Sequence, residues 1–444
     1  MRIKCSFLSR KNTEGYHHLY VPANMLAQYP FQRNMTLWVG HASLNVTCLE
    51  AKTDSLQIML DTGDSLFSSI PELENSWISF NPDTATIRMG PVVALLIHPF
   101  NPNGIHTHPL MNYFIECHNW FQRKGGFFYL LPLPSFLGSR QEGAAYNGHT
   151  WEMAPLPAPD VIYNRCHSRK MERSPSFQGA LSRFEKKKIH VFNRGFLSKD
   201  EVYAALKDSP VISAHLPETV NGLDSLEEML ASCNDVFVKA VDGSRGRYIL
   251  RIQKRERDYL VHQNSFGAKS PLTFSSQEAL LRQIKLWCRR SSYLVQETIS
   301  FVKVDGCSLD FRYLCHLDEN GTWQIVSSVA RVSSPHQFVA NVDQGGVIEK
   351  PAAILQTLFP EKAVEISNEM KKLCIATARL LADSIDGHFA ELGMDIGIDG
   401  SGKPWLIEVN AKPSKRTYTE ASAIRPSVKS LYAYSYRKWI HKED

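Results

Sequence analysis

The sequence predicts a multidomain protein of mixed α/β class, in which a small β-rich domain and an open α/β domain precede a larger α+β domain. Three observations support this prediction. The chain has 444 residues, more than a single hydrophobic core usually serves. Short, partly alternating apolar stretches fill residues 1–89, and strands then alternate with helix-length segments. The C-terminal half contains a strand, glycine loop, strand unit followed by a hairpin with a polar face.

The composition is that of an ordinary globular protein, with 43% hydrophobic and 21% charged residues. Nine cysteines without a CxxC pair indicate free thiols in a reducing compartment, so we predict a cytoplasmic location. The longest clean apolar run, residues 91–97, is too short to span a membrane, and no membrane association is predicted. The net charge of +5 is spread along the chain, and its basic clusters are typical of solvated faces, so we predict no nucleic-acid partner.

The first two domains are defined by their short apolar runs. We predict strands in the β-rich domain, residues 1–89, at 36–39, 44–49 and 56–60. In the open α/β domain, residues 90–194, we predict strands at 90–97, 126–131, 161–163 and 189–192 and a helix at 109–123. Residues 132–159, rich in Pro, Gly and Ser, are predicted to form a long loop, which is either a surface connection or a binding segment.

A phosphate-binding loop is indicated between residues 236 and 252. Gly243 and Gly246 allow a tight loop whose backbone N–H groups can cradle phosphate oxygens. Lys239, at the end of the preceding strand, can reach the same anion. Taken alone, this segment is more typical of a plain β-turn that carries exposed basic residues.

A helix upstream of this loop carries a lysine in an unusual place. Ser198 is a predicted N-cap with Glu201 three residues later, which forms a capping box. Lys199 then falls in the first turn, where a helix prefers negative charge. A role in binding an anion would explain its position.

The segment 293–299 is a predicted strand that ends in polar residues. Gln296, Glu297 and Ile299 suit the edge and the face of an adenine base, although the segment alone is an ordinary strand end.

A predicted hairpin near the C-terminus carries the strongest site signal. Its turn is at residues 399–402, and the period of two places Glu408 and Asn410 on one face, opposite Asp395 of the partner strand. Carboxylate and amide oxygens grouped in this way are ligands for Mg²⁺ or Mn²⁺ rather than for zinc. Asp399 belongs to the turn and is predicted to be structural.

Taken in order, these segments resemble the ATP-grasp superfamily over about 230 residues. The wider pattern, with Gly90-Pro91 and the residues 216–219 and 391–395, is similar to the YheC/YheD family, whose members are described as endospore coat-associated. The resemblance implies an ATP-grasp fold in residues 195–444, with a lid subdomain at about 210–300. Tyr248 stands where the family usually has glycine, and Ala340 stands where threonine is common.

The resemblance also implies roles for individual residues. Lys199 and Lys239 would bind phosphates, with the loop of Gly243, Ser244, Arg245 and Gly246 over the triphosphate. Gln296, Glu297 and Ile299 would hold adenine, and Asp310 would hold the ribose. Arg331 and Lys239 would be catalytic, while Asp395, Glu408 and Asn410 would hold magnesium. The acceptor would lie near Arg312, Asn341, Gly345 and Gly346.

Three functions follow from these residues and stay open at this point. The first is an ATP-dependent ligase that joins a carboxylate to an amine through an acyl-phosphate. The second is a non-catalytic nucleotide-binding protein of the spore coat or of its assembly, with coat proteins as partners. The third is a small-molecule kinase. ATP and Mg²⁺ are the expected cofactors in each enzymatic case, and the sequence does not name the acceptor.

Overall fold

The N-terminal strands alternate buried and exposed side chains, and they close into a barrel in the order β1-β5-β2-β4-β3-β7-β6. The computed structural model describes residues 1–52, 56–138, 142–243, 248–264, 271–289, 291–334, 346–415 and 423–441. The barrel strands are β1 (Arg2–Lys11), β2 (His17–Pro22), β3 (Asn34–Val39), β4 (Ala42–Ala51), β5 (Gln57–Thr62), β6 (Leu73–Asn81) and β7 (Thr86–Gly90), with short helices α1 (Ala23–Gln28) and α2 (Ser65–Ser68). Phe7 and Leu60 are fully buried in its core.

The middle part of the chain forms an open sheet in the order β11-β10-β9-β8-β12-β13. Its strands are β8 (Val92–Ile97), β9 (Phe127–Pro132), β10 (Glu142–Tyr146), β11 (Trp151–Pro155), β12 (Val161–Asn164) and β13 (His190–Phe192). Its helices are α3 (Met111–Lys124), α4 (Leu133–Leu137), α5 (Arg169–Glu172) and α6 (Pro175–Lys186), with a 3₁₀ helix at Pro102–Thr107. Strand β8 is parallel to β9 and to β12, and its residues are buried on both faces, as a covered parallel sheet requires.

The segment predicted as a long loop, residues 132–159, contains regular structure, and that prediction was wrong. Strands β10 and β11 form an antiparallel hairpin that extends the sheet beyond β9. Its turn is stabilised by Asn147, whose Oδ1 accepts hydrogen bonds from the backbone N–H groups of His149 and Thr150 at 2.9 and 2.8 Å. Such local bonds from an asparagine favour a turn, and Trp151 anchors the second strand in the core.

An antiparallel sheet in the order β14-β19-β15-β16-β17-β18 follows, and we call it the lid sheet. Its strands are β14 (Thr219–Asn221), β15 (Asp235–Ala240), β16 (Ile249–Lys254), β17 (Tyr259–Asn264), β18 (Leu272–Phe274) and β19 (Tyr293–Glu297). Helices α8 (Leu226–Cys233) and α9 (Gln277–Cys288) cover one face, and α7 (Lys199–Leu206) and a 3₁₀ helix at Ser213–His215 precede the sheet. The predicted capping box is present, because Ser198 Oγ accepts from Glu201 N–H and the Glu201 carboxylate accepts from Ser198 N–H.

The last sheet, here the C-terminal sheet, has the order β23-β22-β21-β24-β25, with β20 paired to β21. Its strands are β20 (Lys303–Val304), β21 (Cys307–Leu317), β22 (Trp323–Val332), β23 (Val347–Glu349), β24 (Glu391–Ile398) and β25 (Pro404–Asn410). Helices α10 (Pro351–Leu358) and α11 (Ala363–Ser384) pack on it through buried residues such as Met370 and Leu381. The β24–β25 turn is held by Asp399, whose carboxylate accepts from Ser401, Lys403 and Trp405, so its structural role is evident.

The C-terminal helix α12 (Pro426–Ile440) connects three parts of the fold. Tyr432 Oη accepts a hydrogen bond from Trp77 Nε1 of the barrel at 3.1 Å. Arg425 pairs with Glu116 of α3 at 2.9 Å, and Tyr434 contacts His190 of β13 at 2.5 Å. Helix α12 thus binds the barrel to the middle sheet. Among the helices that the structure describes, none has both the length and the apolar character of a membrane crossing.

Candidate nucleotide-binding site

A cleft lies between the lid sheet and the C-terminal sheet. Its walls are largely apolar, with charged or amide groups contributed by Lys199, Lys239, Gln296 and Glu408. The remaining lining residues are Leu197, Ser198, Val202, Tyr203, Leu216, Pro217, Thr219, Leu294, Leu406, Ile407 and Val409. An apolar cleft with a few convergent polar groups has the general character of a small-molecule site.

Lys199 joins the start of α7 to both walls of this cleft. Its backbone N–H donates to Val241 O at 3.3 Å, and its Nζ donates to Gly243 O at 2.6 Å. The same Nζ forms an ion pair with Glu408 Oε1 at 3.0 Å. The structure therefore brings together a predicted phosphate lysine, the start of the glycine loop and a predicted metal ligand.

Lys239 lies on β15 and donates a hydrogen bond to Gln296 Oε1 on the neighbouring strand β19. Gln296 is held in turn, because its Nε2 donates to Thr219 Oγ1 at 2.9 Å. Burial, together with the positive charge of Lys199, lowers the pKa of Lys239 to about 8. Because the hydrogen-bond partner of the Lys239 ammonium is a neutral amide, its positive charge can still be neutralised by an anionic ligand.

Of the three residues predicted to hold adenine, Gln296 lines the cleft, whereas Glu297 and Ile299 are not among the lining residues that the structure describes. The Glu297 carboxylate accepts the backbone N–H of Glu218 at 2.8 Å. Its backbone N–H donates to Glu218 O at 2.9 Å. Glu297 therefore fixes the connection that leads into β14, and Ile299 is half-buried beyond the strand end.

The hairpin of β24 and β25 places Asp395 directly opposite Glu408, and Gly393 opposite Asn410. Asp395 is almost fully buried, and its carboxylate accepts from Arg312 through Nε and through Nη2, the latter at 2.8 Å. Arg331 Nη2 reaches the same carboxylate at 3.1 Å. Burial alone would raise the pKa of Asp395, but the two guanidinium groups hold it below its ordinary value.

Arg331 has a second acidic partner in Asp310. Its Nε and Nη2 donate to the two Asp310 oxygens at 2.5 and 2.7 Å, a bidentate pair. Burial raises the pKa of Asp310, and the charge of Arg331 opposes that rise. Two carboxylates and two guanidinium groups therefore form one network on adjacent strands, with Arg312 opposite Asp395 and Arg331 opposite Asp310.

The metal ligands predicted from the sequence can be tested against this geometry. Among the described residues, no three His, Cys, Asp or Glu side chains are arranged to hold a metal ion. Asp395 and Glu408 are cross-strand neighbours, however, and Asn410 Nδ2 is buried without a hydrogen-bond partner. A flip of that amide would put its oxygen in that position. This donor set fits Mg²⁺, with phosphate oxygens and water as further ligands.

Several predicted site residues lie outside the described residues, namely Ser244, Arg245, Gly246, Asn341 and Gly345. Gly243 is described, and its carbonyl accepts from Lys199. Gly346 is half-buried immediately before β23. Tyr248, which follows the glycine loop, has a φ of 56°, in the left-handed region that glycine adopts most easily.

Sequence reasoning missed two arginines beside this site, Arg169 of α5 and Arg173, which caps the end of that helix. Arg173 binds the Asp242 carboxylate in bidentate fashion, with Nη1 and Nη2 distances of 2.6 and 2.9 Å. Arg169 Nη1 reaches Asp242 at 3.2 Å. Neither arginine belongs to a recognisable motif. The available signal is that both follow the carboxyl end of the parallel strand β12, where α/β sheets tend to place functional groups.

A lysine-bearing lid sheet that faces a C-terminal sheet with a polar β-hairpin, across a cleft lined by both, defines an ATP-grasp protein. The family model described as YheC/D-like ATP-grasp matches residues 188–437. The chain belongs to this family.

Curated relatives agree with this assignment. Endospore coat-associated protein YheD of Bacillus subtilis strain 168 is 25% identical over 282 residues, which are 63% of this chain and 62% of YheD. Endospore coat-associated protein YheC of the same strain is 23% identical over 279 residues, 62% of this chain and 76% of YheC. The match thus spans less than two thirds of the length of YheD. A solved structure of the ATP-grasp ligase PsnB with minimal precursor, Mg and ADP has a TM-score of 0.44 and 15% identity, covering 78% of this chain and 98% of PsnB.

Proposed function

We propose that the protein binds ATP with Mg²⁺ and joins a carboxylate to an amine through an acyl-phosphate. The observation that carries this proposal is the contact of Lys199 with both Gly243 O and Glu408 Oε1 at one end of the cleft. A phosphate lysine and a metal-ligand carboxylate lie side by side there, as a triphosphate with a bound divalent cation requires. Membership in an ATP-grasp family supports the same proposal.

The cationic groups of the site suit a reaction in which negative charge accumulates. Lys199 and Lys239 line the cleft, where they would neutralise phosphate oxygens, and Arg312 and Arg331 lie beside Asp395. When the acceptor carboxylate attacks the terminal phosphate, these fixed charges would stabilise the transferring group without any protein nucleophile. An amine then displaces phosphate from the acyl-phosphate.

A magnesium ion bound by Asp395, Glu408 and Asn410 would supply further charge neutralisation at the phosphates. In the structure each carboxylate is already held by a cation, Glu408 by Lys199 and Asp395 by two arginines. We expect these cations to move from the carboxylates toward the phosphate oxygens when the nucleotide and its metal bind. Without nucleotide and with Mg·ATP bound, each charged side chain of the site would thus have an oppositely charged partner.

Turnover assays test this proposal. The purified protein is supplied with Mg·ATP and pooled amino acids and short peptides, and ADP and free phosphate are followed separately. A ligase releases both products only when a carboxylate and an amine are present. ADP formation without free phosphate would instead indicate a kinase, and nucleotide binding without any product would contradict the ligase proposal.

Variants make the assay specific to the cleft. Glu408→Ala is expected to abolish release, since it removes both the metal ligand and the Lys199 partner. Glu278→Gln is the matched control, because Glu278 is an exposed carboxylate on α9 whose partner is Arg282. Equal loss of activity in both variants would show that the activity does not come from this site.

A second proposal concerns location. The curated relatives YheD and YheC are both described as endospore coat-associated. We propose by analogy that this protein also associates with the coat of spores. Immunogold labelling of sporulating cells of the source organism tests it, and label confined to the mother-cell cytoplasm at all stages would contradict it.

A further inference from the structure

Asp242, the residue immediately before the glycine loop, contacts the middle domain. Asp242 is bound by Arg169 of the short helix α5 and by Arg173, the residue that follows this helix, with three N–O contacts of 2.6, 2.9 and 3.2 Å. Both arginines belong to the open α/β domain, which contains strands β8 to β13 and is here called the middle domain. They precede residues 188–437, the region that the family model matches. The nucleotide site of this chain therefore includes a contact that the family match does not contain.

Arg169 makes a second contact that is relevant to the same site. Its Nη2 donates to Leu197 O at 3.0 Å, two residues before Lys199. Its guanidinium also stacks on Phe196, 4.7 Å from the ring centre. The Arg169 side chain thus binds both the segment that precedes α7 and the residue that precedes the glycine loop.

A continuous chain of polar contacts results. Arg173 and Arg169 hold Asp242, and the next residue, Gly243, accepts from Lys199 Nζ through its carbonyl. Lys199 Nζ in turn binds Glu408. Displacing Asp242 would move the Gly243 carbonyl and free one of the two acceptors that orient the lysine.

We propose that Arg169 and Arg173 are positioning residues for the nucleotide site, which act through Asp242 and Gly243 on Lys199. This proposal rests on the proposed ATP binding and adds the middle domain to the determinants of nucleotide affinity. The ligand is the triphosphate of Mg·ATP, and neither arginine contacts it directly.

The expected loss of Mg·ATP affinity depends on how exposed the paired side chains are. The side chains of Arg169, Asp242 and Arg173 are 20%, 42% and 63% exposed. Pairs in such surroundings contribute modestly, although the bidentate geometry of Arg173 favours the upper end of the range. We expect roughly three- to tenfold weaker Mg·ATP binding when the contacts are removed.

The first test measures the dissociation constant of Mg·ATP by calorimetry for Arg169→Gln, Arg173→Gln and Asp242→Asn. Positioning through Asp242 predicts that all three variants bind more weakly, and that Arg173→Gln/Asp242→Asn is no worse than Asp242→Asn alone. If the arginines bound phosphate directly, Asp242→Asn would release them and tighten binding, which would overturn the proposal. Arg282→Gln, which breaks an exposed pair on α9, is the matched control and should bind as the wild type does.

The second test separates positioning from a general structural role. In a Lys199→Met background, Arg173→Gln should cause no further loss of affinity, because the residue it acts upon is gone. A loss of equal size in both backgrounds, or unchanged affinity in the wild-type background, would overturn the proposal. Arg173→Lys should restore part of the affinity.

Failure of the proposed ATP binding and failure of the positioning role give different experimental results. If wild-type protein and Lys239→Met both fail to bind Mg·ATP, the ATP-binding proposal is wrong, and the positioning role is rejected with it. If the wild type binds and Lys239→Met does not, the site is established, and the arginine variants decide the further inference alone.

Discussion

At the residue scale, the position of Lys239 could be predicted from the sequence, but its hydrogen bond to Gln296 could not. Its place at the end of a strand before a glycine loop is visible in the sequence. Its bond to Gln296 depends on β15 and β19 being neighbours, and these strands are separated by more than fifty residues of chain. Pairing between distant strands is set by the tertiary fold, so residue patterns could not show it.

The low pKa of Lys239 predicts that ATP affinity depends on pH. With a pKa of about 8, the free protein loses this charge as pH rises through 8, whereas a bound triphosphate would keep the lysine protonated. Affinity should therefore be highest below pH 8 and fall by about fivefold between pH 8 and 9. Calorimetry in buffers of different ionisation enthalpy would detect the accompanying proton uptake.

A control for this prediction is Lys239→Arg, because a guanidinium stays charged throughout this range. If this variant binds ATP, its affinity should change less between pH 8 and 9 than that of the wild type. Wild-type affinity that is constant from pH 7 to 9 would contradict the assignment of Lys239 as a phosphate ligand.

Tyr248 provides a second prediction at this scale. A tyrosine with φ of 56° pays about 1–2 kcal/mol for a left-handed backbone, while glycine loses roughly 0.5–1 kcal/mol through its greater freedom in the unfolded chain. Tyr248→Gly should therefore leave the free energy of unfolding unchanged or raise it by up to about 1 kcal/mol. Tyr248→Ile should lower it, since β-branched residues rarely adopt this conformation. Urea unfolding compares the two, and greater stability of the isoleucine variant would refute the account.

At the scale of elements, the β24–β25 hairpin was readable because three signals agreed. The polar turn, the alternation of side chains and the grouped oxygen ligands all indicated the same register. The pairing of Asp395 with Glu408 confirms that register. The arginines that neutralise Asp395 come from β21 and β22, and no local pattern connects them to the hairpin.

The missed hairpin of β10 and β11 shows the opposite case. Its first strand contains Gly143, Ala144 and Ala145, small residues with weak strand preference. What makes the strand is its partner, because β10 pairs with the fully buried β9 and gains Ala144 as a core residue. Tertiary contacts here outweigh local preference.

The general fold class was nevertheless confirmed, since it depends on long, strongly patterned segments.

Gly393 makes the hairpin register testable. A Cβ at this position would lie 2.6 Å from Pro413 Cβ, so Gly393→Ala requires Pro413 to move. We expect a loss of about 1–3 kcal/mol in the free energy of unfolding, typical of overpacking. Gly400→Ala, in the turn of the same hairpin, meets nothing within 4 Å and should be neutral or slightly stabilising. Denaturant unfolding of both variants checks this, and equal stability would contradict the close approach of Pro413 to β24.

At the scale of the whole molecule, helix α12 holds parts of the chain that lie far apart in sequence. It contacts Trp77 of the barrel, Glu116 of α3 and His190 of β13. These contacts could not be predicted from the sequence, because an amphipathic helix shows which face is buried but not what covers it. Independently of this helix, the barrel and one face of the middle sheet share a hydrophobic core.

The half-buried His190, which contacts Tyr434 of α12, affects stability at acid pH. Burial, with help from nearby positive charges, lowers its pKa to about 3 in the folded protein, against about 6.5 for an ordinary histidine. The folded state therefore binds fewer protons than the unfolded state between pH 6.5 and 3, and stability is lost as pH falls below 6.5. At pH 5 the loss from this residue amounts to about 2 kcal/mol.

Urea titrations at pH 7 and pH 5 measure this effect. His190→Gln keeps a hydrogen-bonding group near Tyr434 but cannot be protonated, so its loss of stability between the two pH values should be smaller by about 2 kcal/mol. The same pH dependence in variant and wild type would show that His190 does not control acid unfolding.

The closed barrel at the N-terminus has a consequence for self-assembly. Each barrel strand has a neighbour on both sides, so its backbone N–H and C=O groups are used within the barrel. A second chain cannot extend such a barrel by adding a strand, in the way that open sheets polymerise edge to edge. If copies of this protein build a layer, the barrel must join it through side chains on its outer surface, and its attachments should dissolve in salt or mild denaturant more easily than amyloid-like contacts do.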